Sequence, residues 1–123
     1  MIARISRQDG FARFAGSRAV RHGGLSLRVV PDDAAGAVCL AFATPKRIGS
    51  AVTRNRVRRQ LRALVRARSA ALPHGWYLLG VEQPLVDNDW GQLGMTLDRL
   101  LGIALPNFQS PDFATKTTNG SPL

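Results

Sequence analysis

Residues 46–68 read KRIGSAVTRNRVRRQLRALVRAR, and this stretch holds more than half of the 17 Lys and Arg residues of the chain. It contains nine basic side chains and no acidic one, while the complete sequence of 123 residues has a formal net charge of +9. The rest of the chain is therefore close to neutral. A charge concentrated in this way predicts a surface that contacts a polyanion, either a nucleic acid or an anionic membrane.

The same stretch has the pattern of an amphipathic helix. At about 100° per residue, one face is apolar and the other carries mainly arginine. Ser50 is a suitable N-cap, so the pattern predicts a helix from Ser50 to about Arg68. Arg68 falls on the apolar side, which predicts that the helix frays there or that this side chain extends out to solvent. The apolar positions are Val57, Leu61, Leu64 and Val65.

Apolar segments before and after this helix have the composition of β-strands. Residues 25–30 alternate with period two, and residues 37–44 are mostly apolar up to Pro45, which ends the run. Residues 76–81 are almost continuously apolar, as in a central strand that is buried on both faces. A strand, a long helix and another strand in this order indicate a βαβ arrangement within a small mixed sheet.

Two further helices are expected. Residues 5–15 combine a possible N-cap, Asp9, with aromatic side chains three positions apart, which predicts a short N-terminal helix. Residues 89–104 follow a helical apolar period and begin at Asp89, a second possible cap, which predicts a C-terminal amphipathic helix. The expected fold class is therefore α/β, an α+β sandwich of these helices on the sheet.

The length of the chain fits one domain, which we assign to residues 1–106. Residues 107–123 are rich in polar residues, Pro and Gly, and are expected to form a disordered tail. No apolar run approaches the ~20 residues of a membrane span, and the first residues are too polar for a signal peptide. We therefore expect a soluble protein located in the cytoplasm.

Few side chains are arranged as a catalyst would need. His22 and His74 both lie in turns that contain Gly, and Cys39 lies in an apolar run where a small core residue is expected. The eight acidic residues do not form pairs typical of general acid–base catalysis or of two-metal sites. The sequence therefore predicts no catalytic residue and no metal site in the protein itself.

The arginines favour a nucleic acid over a membrane. Seven of them lie between Arg54 and Arg68 without an intervening acid, so they would repel one another unless an anion lies across them. A guanidinium group binds phosphate through two parallel hydrogen bonds and also stacks on bases. The apolar face of the helix lacks aromatic residues and is needed for the core, which disfavours binding to a membrane.

Residues 46–62, KRIGSAVTRNRVRRQLR, resemble without a gap the signature of the bacterial ribonuclease P protein component, approximately K-K-x-G-N-A-V-x-R-N-R-x-K-R-x-x-R. Asp9-Gly10-Phe11, Gly16 and residues 76–84 extend the resemblance. It implies a small α/β sandwich with a left-handed βαβ crossover, against the usual right-handed rule. It also implies a ribonucleoprotein endonuclease whose RNA subunit removes the 5′ leader of precursor tRNA by hydrolysis, with Mg²⁺ bound mainly by that RNA.

By the same resemblance, the implied partners are the catalytic RNA and precursor tRNA, with no obligate protein partner. The side chains expected to bind RNA are Lys46, Arg47, Arg54, Asn55, Arg56, Arg58, Arg59, Arg62 and Arg66. The cleft expected to hold the single-stranded leader includes Phe11, Phe14 and Arg28. Two roles stay open for Phe11, a stacking platform or a core residue, and two for Asn55, the orientation of neighbouring groups or a cap.

Three positions depart from the family pattern. Pro45 replaces the usual Ser, Ala15 lies where a second aromatic residue is common, and Glu82 replaces the usual Arg. Two other functions are alternatives: a basic ribosomal or DNA-binding protein that uses the same helix, and an independent hydrolase. Helix-turn-helix binding to DNA would need a helix directly before the recognition helix. Here an apolar strand and Pro45 precede it.

Overall fold

The computed structural model describes residues 2–4 (as backbone), 14, 16–85, 90–106 and 108. These residues form one five-stranded sheet and two α-helices. The strands are β1 (Ile2–Arg4), β2 (Val20–His22), β3 (Leu25–Pro31), β4 (Val38–Ala43) and β5 (Gly75–Val81). The helices are α1 (Ala51–Arg68) and α2 (Leu93–Ala104), and short 3-10 turns span Asp33–Ala35, Lys46–Ile48 and Ser69–Ala71.

The sheet is mixed, with the strand order β1-β4-β5-β3-β2. β5 lies in the middle, parallel to β4 and antiparallel to β3. Its Tyr77, Leu79 and Val81 are buried in the core, whereas Trp76 and Leu78 on the other face are only half-buried, so the predicted burial on both faces is found fully on one face. β1 extends the sheet parallel to β4, and β2 forms a short hairpin with β3. The predicted mixed sheet with a central fifth strand is therefore confirmed.

Helix α1 connects the parallel strands β4 and β5, which confirms the βαβ arrangement. Parallel neighbours cannot be joined by a tight turn, so a crossover of this kind is required. Ser50 caps the helix as predicted, because its hydroxyl accepts a hydrogen bond from the Thr53 amide at 3.2 Å. Val57, Leu61 and Val65 are buried against the sheet side of the core. The left-handed sense of the crossover stays a prediction.

Arg68, the last residue of α1, corrects one expectation. It neither frays nor extends into solvent: only 5% of it is exposed, and its guanidinium pairs with Asp98 of α2. The reason is that α2 packs across this end of α1 and supplies a carboxylate, which no pattern within α1 reveals. A buried guanidinium is tolerated when its hydrogen bonds are satisfied in this way.

Helix α2 closes the core over β2, β3 and α1. Its Leu93, Leu97, Leu100 and Leu101 are all buried, which confirms the predicted amphipathic C-terminal helix. The regular helix begins at Leu93, and the proposed cap Asp89 lies outside the described residues. No helix of the described part of the chain is both long and apolar enough to span a membrane.

The predicted N-terminal helix over residues 5–15 lies outside the described residues, apart from Phe14. Most of the predicted tail over residues 107–123 lies outside them as well. Phe108 is described and packs, partly buried, against the core. The domain boundary at residue 106 and the disorder of the tail therefore stay predictions.

Candidate nucleic-acid interface

The arginines of α1 point in three directions, which the structure separates by their burial and contacts. Arg54, Arg58 and Arg62 follow one another at intervals of four residues and are partly buried along the flank of the helix that faces a cleft. Arg56 and Arg68 lie toward α2 on the other flank. Asn55, Arg59 and Arg66 are exposed between the two flanks, and we call these three residues the outer ridge.

The cleft has a volume of about 830 Å³ and lies between α1 and the ends of β4 and β5. We call it the basic cleft, because its described lining includes four arginines and one acid. Gly80 keeps part of its wall flat, since a Cβ atom there would approach the Ser26 Oγ to 2.5 Å. The charged residues that line it are Arg47, Arg54, Arg58, Arg62 and Glu82. The arrangement favours an anionic ligand of extended shape.

Arg58 is held in place by two hydrogen bonds from its guanidinium. One Nη donates to the Thr44 hydroxyl at 2.5 Å, and the other donates to the Asn55 Oδ1. Thr44 follows β4 and itself lines the basic cleft. Asn55 thus orients an arginine, which is one of the two roles that the sequence leaves open for it. A side chain that is already oriented loses less conformational entropy when it binds phosphate.

Arg62 is positioned by an aromatic ring. Its guanidinium carbon lies 5.3 Å from the centre of the Phe42 ring, within the range of a cation–π contact. Phe42 is partly buried in β4 and lines the basic cleft beside Arg62. The pair presents a positive charge and an aromatic surface side by side, and both can contact a nucleotide.

Arg54 lies in the wall of the basic cleft and has a buried hydrogen-bond donor without an acceptor among the described residues. Its Nε is buried, and no hydrogen-bond partner for it is found among the described residues. A buried donor without an acceptor costs about 1–3 kcal/mol. A phosphate oxygen or a water molecule in the cleft would remove this cost, so the position of Arg54 favours an oxygen-rich ligand.

Glu82 marks one end of the basic cleft, where the segment after β5 meets the β2–β3 hairpin. Its carboxylate accepts from the Arg21 Nε at 2.8 Å, and its carbonyl oxygen accepts from an Nη of Arg47 at 3.1 Å. Its amide donates to the Gly24 carbonyl at 2.8 Å. Glu82 therefore lowers the positive charge at this end and engages Arg47 through the backbone. Lys46, in the same short turn as Arg47, is exposed.

Arg56 lies over the ring of Trp90, with its guanidinium carbon 4.4 Å from the ring centre. Arg56 is exposed, while Trp90 is partly buried and packs against the core just before α2. The sequence singles out neither Trp90, Phe42 nor Thr44 as a site residue. Each of the three is far from its arginine in the chain, so the helical period of α1 carries no signal for these contacts.

The residues expected in the leader-binding cleft are not found among the described residues that line the basic cleft. Phe11 lies outside the described residues, and Phe14 is only 4% exposed. Arg28 donates to the Ser17 carbonyl oxygen and is absent from the described lining of the basic cleft. A base could stack on Phe14 only after its ring was uncovered. The leader-binding role of these three residues stays a prediction.

A model of the ribonuclease P family matches residues 2–105 of the chain. The ribonuclease P protein component of Streptomyces avermitilis is 36% identical over 115 residues, which cover 80% of this chain and 92% of that protein. The component from Gluconacetobacter diazotrophicus is 34% identical over 100 residues, which cover 80% of this chain and 82% of that protein. Both identities extend over most of the two chains.

Solved structures agree on the fold. The RNase P protein of Staphylococcus aureus superposes with a TM-score of 0.73 at 20% identity, over 83% of this chain and 94% of that one. The RNase P protein of Thermotoga maritima superposes with a TM-score of 0.61 at 21% identity, over 80% and 94% of the two chains. With the family model and the sequence relatives, this shows that the chain belongs to the ribonuclease P protein component family.

Proposed function

We propose that this chain is the protein subunit of ribonuclease P. In this proposal it binds the catalytic RNA and the 5′ leader of precursor tRNA, and so promotes the Mg²⁺-dependent endonucleolytic removal of the leader. The observation that carries the proposal is the convergence of four arginines on a cleft that contains a single acid among its described residues. Family membership supports the identity of the partners, and cytoplasmic localisation is part of the same proposal.

The two basic surfaces of α1 suit two different contacts. The basic cleft, with a volume of about 830 Å³, offers a single strand guanidinium groups for its phosphates and the Phe42 ring for a base. The outer ridge of Asn55, Arg59 and Arg66 is convex and exposed, which suits the backbone of a folded RNA. We assign the cleft to the leader and the ridge, with Lys46, to the catalytic RNA.

The described residues of the basic cleft do not fit a Mg²⁺ site. Mg²⁺ requires hard oxygen ligands, usually carboxylates. In the basic cleft one carboxylate stands beside four guanidinium groups, which would repel a cation. Over the residues that the structure describes, no three His, Cys, Asp or Glu side chains come close enough to share a metal ion. In the proposal, the RNA subunit binds Mg²⁺ and performs the hydrolysis, while the arginines position the RNA and neutralise its phosphates.

Reconstitution tests the proposal. The protein is mixed with a bacterial catalytic RNA and precursor tRNA at low Mg²⁺ concentration, and leader removal is measured with and without it. We expect the wild-type protein to stimulate cleavage and the Arg58→Ala/Arg62→Ala variant to stimulate it less. Arg99→Ala is the matched control, because Arg99 is an exposed cation on α2, away from both surfaces. If the wild-type protein gave no stimulation, a basic RNA-binding protein such as a ribosomal protein would be the better assignment.

A further inference from the structure

The pair formed by Arg56 and Trp90 has a geometry that phosphate binding would not require. The Arg56 guanidinium lies over the indole at 4.4 Å from the ring centre and remains exposed. A guanidinium is planar, so when one of its faces covers a ring the other face is left to stack on a second flat group. Phosphate binding uses the edge of the guanidinium and does not need the ring beneath it.

This pair lies away from the basic cleft. Arg56 follows Arg54 by two residues, which places the two side chains about 200° apart around the helix. The outer ridge separates them, because Asn55 and Arg59 are exposed on the intervening surface. A nucleotide in the basic cleft therefore does not reach Trp90, whereas an RNA that lies along the outer ridge borders the pair.

An exposed aliphatic side chain adds apolar surface on the same side of α1. Val52 precedes Arg56 by four residues, so the two are neighbours on the helix surface. It is 78% exposed, the highest value among the large apolar side chains of the described residues. An exposed valine next to an arginine that covers a tryptophan makes a surface that is both apolar and cationic. The flat face and edge of a nucleobase match such a surface, and a phosphate group does not.

We propose that Val52, Arg56 and Trp90 form a binding site for an unpaired nucleobase of an RNA that lies along the outer ridge. The base stacks on the outer face of the Arg56 guanidinium, whose inner face is supported by Trp90. Trp90 is then a positioning residue, and Arg56 contacts the base. The inference rests on the proposed function, because it takes the bound polyanion to be RNA.

Two short oligomers of equal length and charge separate base binding from phosphate binding: an oligoadenylate and an abasic ribose-phosphate oligomer. The chain has two tryptophans, so a Trp76→Phe background makes the emission report on Trp90 alone. We expect oligoadenylate, and not the abasic oligomer, to change that emission. We further expect Trp90→Leu to weaken oligoadenylate binding roughly tenfold while the affinity for the abasic oligomer stays the same.

Two more variants distinguish stacking from a purely structural role. Trp90→Phe keeps an aromatic ring and should keep part of the preference for oligoadenylate. Arg56→Lys keeps the charge and loses the planar face, so it should reduce the preference for oligoadenylate over the abasic oligomer as far as Trp90→Leu does. The inference is overturned if Trp90→Leu leaves the preference unchanged, or if it weakens both oligomers equally, which would indicate that Trp90 only supports the fold.

The leader-removal assay keeps this inference separate from the proposed function. If the wild-type protein stimulates cleavage and Trp90→Leu retains the base preference, only the nucleobase site is wrong. If the wild-type protein fails to stimulate cleavage by the catalytic RNA, the proposed function is wrong whatever the oligomers show.

Discussion

Arg68 and Asp98 join the C-terminal end of α1 to the middle of α2, with the Arg68 Nε 2.5 Å from the Asp98 Oδ1. A second hydrogen bond runs from an Nη to Oδ2 at 3.2 Å, and the other Nη donates to the Leu64 carbonyl at 3.0 Å. The basic helix is thus attached to α2 by one of its own arginines, which is unavailable to RNA.

Loss of this pair should destabilise the protein. Asp98→Ala leaves the Arg68 guanidinium buried without its carboxylate, so we expect the free energy of unfolding to fall by about 3 kcal/mol. Urea denaturation followed by circular dichroism measures it. Replacing both partners, as Arg68→Met with Asp98→Leu, should recover most of the loss, since no charge is then buried. Asp33→Ala, at an exposed acid, should change the value by about 0.5 kcal/mol or less. Equal losses for Asp33→Ala and Asp98→Ala would contradict the burial argument.

Ionisation of Tyr77 should make the free energy of unfolding depend on pH in the alkaline range. Burial raises the pKa of its phenol to about 12 from the ordinary value of 10.0. The folded state therefore holds this proton more tightly than the unfolded state. The resulting stabilisation is complete below pH 10 and is lost as the pH rises from 10 to about 12.

The measurement is direct, because the chain contains a single tyrosine. The ultraviolet absorbance of phenolate should titrate near pH 12 in the folded protein and near pH 10 in urea. Tyr77→Phe should flatten this part of the stability curve. It should also cost roughly 1 kcal/mol, because the hydroxyl donates to the Pro73 carbonyl. A phenol that titrates at the same pH in both states would contradict the prediction.

Thr44 is uncharged, but it should raise the affinity for RNA because it orients the Arg58 guanidinium. Thr44→Val removes the acceptor for the Arg58 guanidinium, so that arginine loses part of its orientation. We expect RNA binding to weaken about threefold to tenfold, which corresponds to one neutral-acceptor hydrogen bond. Filter binding to a short single-stranded RNA measures it. Thr44→Ser keeps a hydroxyl and should bind RNA as the wild-type protein does. If Thr44→Ser weakened RNA binding as much as Thr44→Val, the packing of the side chain and not its hydroxyl would be responsible.

The basic cleft predicts a salt dependence of single-strand binding. With about four phosphates neutralised by the four arginines of the cleft, the logarithm of affinity should fall with the logarithm of salt concentration at a slope of roughly −2.8. Arg62→Ala should reduce the size of this slope by about 0.7, the contribution of one phosphate. Arg99→Ala removes the same charge from α2 and should leave the slope as it is. Equal slopes for all three proteins would show that the single strand does not lie against Arg62.

Glu82 should weaken anion binding at its end of the basic cleft. Glu82→Gln removes that charge, so we expect tighter binding of a single-stranded RNA by a few-fold. The change should cost little stability, because the pair with Arg21 is exposed, and exposed pairs contribute roughly 0–1 kcal/mol. Asp33→Asn makes the same change of net charge away from the cleft. If both variants bound RNA equally tightly, the effect would be one of net charge alone.

The two described helices and the strands β3, β4 and β5 could be predicted from the sequence, whereas β1 and β2 could not, because three residues are too few to show an alternating pattern. Helix α1 begins after the Ser50 cap and ends at Arg68, as the local pattern indicates, because capping and helical period depend on residues a few positions apart. The central position of β5 follows from its unbroken apolar run. The direction of each arginine could not be predicted in this way. The sequence shows a single arginine-rich face of the helix, whereas in the fold parts of that face border a cleft, solvent and another helix.

By itself, the sequence determined the helix, the strands around it, the family signature and the concentration of positive charge, since each of these is encoded in local pattern and composition. Only the tertiary structure decided how that charge is used. It turned Arg68 into the core toward Asp98, set Arg58 on Thr44, and placed Arg56 over Trp90. These partners lie 14 to 34 positions apart in the chain, and only the packing of α2 and β4 against α1 brings them into contact.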